Sequence, residues 1–409
     1  MTILSRLRLD SSQHYRWVIV LAGTLGLLGA LGLGRFALGV MLPAMGRGLD
    51  LSYGQMGLLS AANFCGYLVA VLGCGFLNTL LGARKLIFYG LMLIGISMVL
   101  ISLASSLYQV IILYTLTGIG SALTNIPIMG LIAVWFEPAM RGRAAGLCVM
   151  GNGLGILISG QAVPALNRFG SGWELSWLVF GCAVMLVACI CLGLIRNRPD
   201  GDKNPTSVKG TINQGTITRP WVLYLSGLLY FLFGLTYVIY VTFIVTSLIQ
   251  DRGFSEQAAG DLWAWGGFLC IVSGPLFGYI SDRIGRRNSL MIVYSLQALA
   301  YLLASWTGVM ASAYVSVICF SLVAFSVPSI MAALIGDLAG PEKVATWFGF
   351  VTFVFGIGQI AGPAAAGIIA EYTGSFSLSF LLAAGGVTLA VLLSTRLPVK
   401  KVLVGKLQA

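Results

Sequence analysis

The chain is 409 residues long, 58% hydrophobic and only 9% charged. Water-soluble domains carry about 25% charged residues, so the composition excludes a soluble globular protein and points to an all-α membrane protein. The net charge of +11 does not signal nucleic acid, because the basic residues lie between apolar runs rather than in one patch.

Twelve apolar runs follow one another, at approximately 17–45, 53–78, 86–106, 108–135, 144–168, 174–195, 220–249, 257–281, 289–307, 311–337, 344–370 and 375–396. Each is about the length a helix needs to cross a bilayer, near 20 residues. The first run is far longer than the apolar region of a signal peptide, so no cleavable leader is expected. His14, the only histidine, precedes it among basic residues and reads as a solvated tail residue. The eight cysteines all fall within the runs, at positions 65, 74, 148, 182, 189, 191, 270 and 319. They have neither disulfide nor zinc spacing and read as small packing residues, so no metal or cofactor is expected.

The first run contains Arg35, the only charged residue set deep inside an apolar segment. A guanidinium at that depth costs about 2.5–3.5 kcal/mol on insertion scales, so it should face protein or a water-filled cavity. It is a candidate anchor for an anionic substrate, the alternative being a structural arginine bonded to backbone carbonyls or a neighbouring helix. Midway along the chain, Arg196–Arg219 interrupts the hydrophobicity with Pro199, Asp200, Gly201, Asp202, Lys203, Asn204 and Pro205. The expected organisation is an N-terminal six-helix bundle over 1–195, a cytoplasmic linker over 196–219, and a C-terminal six-helix bundle over 220–409. With the N-terminus inside, every basic residue except Arg35, Arg47, Arg168 and Arg252 faces the cytoplasm. This is the positive-inside distribution, and it puts both termini in the cytoplasm.

The two halves align at a single offset of 203 residues. Ser52 falls on Ser255, Gly57 on Gly260, Gly75 on Gly278, Gly82 on Gly285 and Arg84 on Arg287. Further on, Gly146, Gly153 and Gly155 fall on Gly349, Gly356 and Gly358. A duplicated bundle joined by a polar loop is the mark of a transporter with its site between two parallel repeats, near the membrane midplane.

Between the eighth and ninth runs stands Gly278-Tyr-Ile-Ser-Asp282-Arg283-Ile-Gly285-Arg286-Arg287. It resembles the complete loop signature of the major facilitator superfamily, G-x-x-x-D-R-x-G-R-R. Gly278 would permit close helix approach, Gly285 a sharp turn, and the basic cluster would hold the loop in the cytoplasm. The resemblance implies that Asp282 serves as a gate latch, here expected near Arg141, Arg143 and the start of the fifth run. An ordinary turn bearing topogenic charges is the alternative. The equivalent N-terminal loop keeps Gly75, Gly82, Arg84 and Lys85 but has Thr79 and Leu80 where the signature has Asp and Arg. The chain departs from drug–proton antiporters of the superfamily in two places. Tyr114 stands where they carry an arginine before the glycine at Gly118, and their glycine–proline pair is missing from the fifth run. Gly34-Arg35-Phe36 followed by Leu42-Pro43 resembles a bacterial branch of poorly characterised facilitators. With Trp135-Phe136 and the Arg141-Gly-Arg143 entry, it is also similar to monocarboxylate and oxalate–formate-type transporters.

In that superfamily, helices 1, 2, 4, 5, 7, 8, 10 and 11 line the central cavity. The resemblance therefore nominates Asn63, Tyr67, Asn125, Asn152, Tyr237, Tyr240, Trp265 and Gln359 beside Arg35 as substrate contacts. Each could instead be interhelical hydrogen-bonding glue. All 13 acidic residues lie in loops or at helix ends, which leaves no buried carboxylate for a cationic substrate. Asp261, about one turn into the eighth run, is the closest exception and a candidate proton site, or simply an acid favoured at a helix start. The expected function is alternating-access transport of a small organic anion, a monocarboxylate by charge count. Proton symport or anion exchange would drive it, in a monomer of the bacterial inner membrane. Export of hydrophobic or neutral compounds is the alternative. An enzyme is not expected, since no nucleophile–base pair, acid dyad or metal cluster is legible.

Overall fold

A computed structural model describes residues 3–169, 172–198 and 220–398, and every regular element among them is a helix. In chain order these are α1 (Ile3–Leu27), a π-helical segment (Leu28–Phe36), α2 (Leu38–Gly48), α3 (Tyr53–Ile101), α4 (Leu107–Trp135), α5 (Pro138–Asn167) and α6 (Gly172–Leu194). After residue 219 come α7 (Pro220–Gln250), α8 (Glu256–Ile284), α9 (Arg286–Ser305), α10 (Met310–Val323), α11 (Ser326–Thr373) and α12 (Ser377–Ser394). Of the expected linker only Arg196–Arg198 is described. Lys203, Lys209 and Arg219 lie outside the described residues, as do Lys400, Lys401 and Lys406.

Eleven helical stretches among the described residues are long and apolar enough to cross a membrane. The difference from the twelve runs lies in α3, whose 49 residues are about twice the length of one crossing. Within it Gly82 has φ 75° and ψ 155°, a conformation closed to residues with a Cβ, and the helix breaks there. The tenth run is itself interrupted. At the end of α10 the Phe325 amide donates to Ser273 Oγ (3.1 Å), and the Ser326 hydroxyl donates to the Ser273 carbonyl (3.1 Å). These bonds satisfy groups that the break would otherwise orphan.

The repeat read from sequence recurs in local geometry. Ser52 and Ser255 both cap their helices with extended backbone, accepting from the amides of Gln55 and Ala258. Asp50 and Gly253, two residues earlier in each repeat, both have positive φ (51° and 71°). Gly285 adopts φ 86° and ψ 156°, the conformation of Gly82. Gly285 therefore makes the turn expected of it.

Contacts between the helices before residue 199 and those after 219 run chiefly through α5 with α8, α3 with α11, and α2 with α7. Two seams obey the same offset. A Cβ on Gly57 would collide with the Pro363 carbonyl and crowd Gly367, and one on Gly260 would lie 2.5 Å from both the Gly160 carbonyl and Pro164 Cγ. Pro363 is the equivalent of Gly160, and Gly367 of Pro164. Polar contacts reinforce this end of the molecule. Arg47 pairs with Glu256, Asn167 donates to Glu256 (3.2 Å), and Gln161 donates to Asp261 (2.9 Å). Glu371 accepts from the Ser52 hydroxyl (2.9 Å) and the Gly54 amide (3.0 Å).

The opposite end is built on the same helix faces but is not sealed. Gly75 and Gly278, five helical turns beyond Gly57 and Gly260, meet nothing within 4 Å, and neither does Gly349. The close helix approach expected at Gly278 is therefore absent, because α8 has diverged from its neighbours by that depth. We predict that Gly260→Val, an overpacking change of about 1–3 kcal/mol, lowers the thermal midpoint of the detergent-solubilised protein. Gly278→Val on the same face should leave that midpoint close to wild type.

Candidate anion-binding site

Arg35 is the penultimate residue of the π-helical segment, whose run Leu28-Gly-Ala-Leu-Gly-Leu-Gly34 includes three glycines. Gly32 abuts Gly155 of α5 so closely that neither position has room for a Cβ. Single π turns inside α-helices recur at functional sites. Here the segment ends at Ala37, where α2 begins, and Arg35 projects toward α3.

The side chain is held by a network that crosses three elements. Arg35 Nε donates to Asn63 Oδ1 at 2.9 Å. Asn63 is fully buried and uses its amide on α4, donating to Thr117 Oγ1 (2.7 Å) and the Tyr114 carbonyl (3.2 Å). The Tyr114 hydroxyl returns to the Arg35 carbonyl at 3.1 Å. Gly118 makes this possible, since a Cβ there would collide with the Asn63 carbonyl and push α4 off α3. The guanidinium carbon lies 4.5 Å from the ring centroids of both Phe64 and Tyr67, within cation–π range. Arg35 Nη2 is buried without a hydrogen-bond partner, and none of the ion pairs among the described residues involves Arg35.

Toward the sealed end, Arg35, Phe36 and Tyr114 border a cavity of about 10 Å³ shared with Ser60 and Thr242. That is room for about one water, and the buried Ser60–Thr242 hydroxyl contact (2.9 Å) closes it. Beyond Phe36 stands a wall of stacked rings. Phe36 sets its edge on Tyr237 (6.5 Å, 87°), and Phe233, Tyr237 and Phe320 follow in near-parallel contact.

The other nominated residues divide. Asn125 donates to the Tyr67 hydroxyl at 2.9 Å, which links it to the ring beneath the guanidinium. Tyr237 is buried within electrostatic range of Arg35. Asn152 and Gln359 are nearly buried on α5 and α11, and Asn152 Oδ1 has no partner. Tyr240 turns away, bonding Ser316 (2.8 Å) and stacking on Phe320 (4.0 Å). Trp265 corrects the sequence reading. It is 68% exposed and heads a stripe with Phe268, Val272, Leu276 and Tyr279, which at helical spacing is one outward face of α8. Its depth along the helix matched the site, but its azimuth does not.

The gating residues also differ from expectation. Asp282 pairs with Arg286 one turn on (2.6 Å), and Arg286 reaches Ser281 (2.6 Å) and Asp337 (3.4 Å). Arg283 lies over the Tyr279 ring at 4.5 Å. Arg141 donates instead to the Phe136 carbonyl (2.9 Å), and Arg143 is exposed. None of the ion pairs among the described residues joins Asp282 to Arg141 or Arg143. The unsealed end accounts for this. Asp261 is an acceptor for both Gln161 and Gln257 (2.8 Å), so it belongs to the sealed seam. Sequence reading missed Phe64 and Thr117, and it took Tyr114 only as a departure. The signal available was the spacing of Tyr114, Thr117 and Gly118 on one stretch of α4.

An all-helical chain with eleven apolar stretches of spanning length among the described residues defines a polytopic membrane protein. The chain belongs to the major facilitator superfamily, residues 27–395 matching the family described as uncharacterised MFS-type transporter YbfB. It is 25% identical over 380 residues to the hexuronate transporter of Bacillus subtilis (strain 168), covering 86% of this chain and 88% of that one. It is 24% identical over 334 residues to monocarboxylate transporter 2 of Homo sapiens, covering 73% and 68%. Its fold is shared by a bacterial homologue of the human lysosomal transporter Spinster in an inward-facing and occupied conformation. The TM-score is 0.74 at 17% identity, over 94% of this chain and 96% of that one.

Two substitutions separate the roles within the network. Tyr114→Phe removes one hydrogen bond and should cost about 0.5–1.5 kcal/mol. Asn63→Ala removes a hydrogen bond to the buried guanidinium and should cost more, about 1.5–3 kcal/mol. Denaturation of the two purified variants in the same detergent checks the order.

Proposed function

We propose that this protein is a secondary active transporter for a small organic anion, a monocarboxylate by charge, with Arg35 as the anchor. The observation that carries the reading is Arg35 Nη2, a cationic donor buried without a partner or counter-charge. An unsatisfied buried donor of that kind costs about 1–3 kcal/mol or more. A carboxylate supplies the missing charge and accepts through the planar edge of the guanidinium. Two of the relatives carry acids in their names, a hexuronate and a monocarboxylate, which agrees with this assignment.

The mechanism is alternating access between two six-helix bundles, 1–195 and 220–409, with α3 counted as two crossings joined at Gly82. Basic residues crowd the end that bears Asp282, which by the positive-inside rule is cytoplasmic. On this assignment both termini are cytoplasmic, the glycine seams close the outer end, and Arg35 communicates with the inside. In the opposite state the faces bearing Gly75, Gly278 and Gly349 come together, and Asp282 then reaches Arg141 and Arg143 as a latch. Asn63, Asn125, Asn152, Tyr237 and Gln359 complete the site around Arg35. The single fixed positive charge suits a carboxylate that enters with a proton or exchanges for another anion. Asp261, on the outer seam, is the proton acceptor of the symport variant. The transporter works as a monomer in the bacterial inner membrane.

Thermal unfolding with and without carboxylates tests the anchor. A ligand at 100 times its dissociation constant adds about 2.7 kcal/mol of stability. Carboxylates should stabilise the wild type and have no effect on Arg35→Gln. An equal response in both proteins would make Arg35 structural and bring export of hydrophobic compounds to the front.

A further inference from the structure

A second cavity opens at the sealed end and shares no lining residue with the one beside Arg35. Its volume is about 460 Å³, within the range of ligand pockets, about 300–1,000 Å³. The wall is made by Arg47 and Gly48 of α2, Asn167 of α5, Trp173 and Glu174 of α6, and Glu256 of α8. Two polar atoms of these residues are left over. Trp173 is 3% exposed, and its Nε1 is buried without a hydrogen-bond partner. Gly48 abuts that nitrogen, and a Cβ there would collide with it. Asn167 spends its amide on Glu256 (3.2 Å), while its Oδ1 is buried without a partner. A donor and an acceptor left in this way each cost about 1–3 kcal/mol. Glu174 adds a charge, and none of the ion pairs among the described residues involves it. Its carboxylate folds back over Gly172, where φ is 57° and a Cβ would lie 2.8 Å from Oε2.

We infer that this cavity is a second binding site, for a small zwitterion that carries a primary ammonium and a carboxylate, as an α-amino acid does. The ammonium donates to the Glu174 carboxylate and to Asn167 Oδ1, and the carboxylate accepts from Trp173 Nε1 on the side of Arg47. The charges on the wall, one positive and two negative, set this site apart from the lone arginine of the first. An anion without an ammonium meets two carboxylates here. A cation without a carboxylate leaves the indole N–H unpaired and faces Arg47. A neutral polyol supplies hydrogen bonds but no counter-charge for Glu174. A zwitterion answers both signs and both orphaned atoms.

The test is equilibrium binding of labelled alanine to the purified full-length protein and to Trp173→Phe, Glu174→Gln and Arg35→Gln, with acetate, methylammonium and glycerol as competitors. Each competitor should need at least about tenfold more than unlabelled alanine to displace the label, since each lacks a charge-assisted contact. Trp173→Phe removes the N–H and Glu174→Gln the charge, and each should weaken alanine about fivefold or more. Arg35→Gln should leave alanine affinity unchanged. Acetate, methylammonium or glycerol displacing the label as well as alanine does would overturn the zwitterion assignment, as would an affinity unchanged in both Trp173→Phe and Glu174→Gln. Alanine lost in Arg35→Gln but kept in those two would put it at Arg35 and overturn the second site. So would a wild type that binds no alanine, whatever its response to monocarboxylates.

Discussion

A guanidinium inside an apolar helix bundle must be matched by hydrogen bonds and charge, and the centre of this molecule is arranged around that requirement. Placing the arginine there costs about 2.5–3.5 kcal/mol. The chain meets part of the demand with one amide and two ring faces, from Asn63, Phe64 and Tyr67. Those contacts in turn require α3 and α4 to touch, which is why Gly118 faces the Asn63 carbonyl. Of its other nitrogens, Nη2 is buried without a hydrogen-bond partner. Arg252, by comparison, spends Nη1 on the Ser312 hydroxyl and the Val309 carbonyl and Nη2 on the Leu303 and Ala304 carbonyls. The contrast between these two arginines is the physical basis for assigning Arg35 to a ligand.

The glycine seams explain how such a site could be reached from one side at a time. Gly57 and Gly75 share a face of α3, and Gly260 and Gly278 share a face of α8, yet only the first of each pair is in close contact. Helices that touch at one end and diverge at the other can rock about their middle without changing internal structure. The polar contacts follow the same division. Arg47, Gln161, Asn167 and Glu371 bridge the sealed end, whereas Arg286 keeps Asp282 within its own segment at the other. Opening the sealed end would free Glu371 from the N-terminus of α3 and separate Arg47 from Glu256. These exposed contacts are individually weak, as the proposed alternating access requires.

Much of this was legible before any coordinates. Apolar runs mark spanning helices because lipid offers no hydrogen-bond partners and the backbone must satisfy itself. Gly82 and Gly285 were visible as an aligned pair, and both take a backbone conformation that demands glycine. Arg35 stood out because no other charge is buried so deeply. What failed has equally physical reasons. Trp265 was assigned by depth, but a helix has a full circumference at every depth, and only the neighbours of α8 decide which face is outward. Asp282 was paired with Arg141 and Arg143, whereas here it pairs with Arg286, and sequence does not say which conformation is populated. The aromatic wall escaped notice because its stacking depends on which helices lie beside α7, a long-range arrangement that local spacing on α7 cannot reveal.

The most direct measurement is a structure of the protein with a stabilising monocarboxylate bound. The carboxylate should lie at hydrogen-bonding distance, about 2.7–2.9 Å, from Arg35 Nη2, with Asn63 still on Nε. A ligand located elsewhere in the cavity, with Nη2 turned to a backbone carbonyl, would contradict the assignment of Arg35 as the anion anchor.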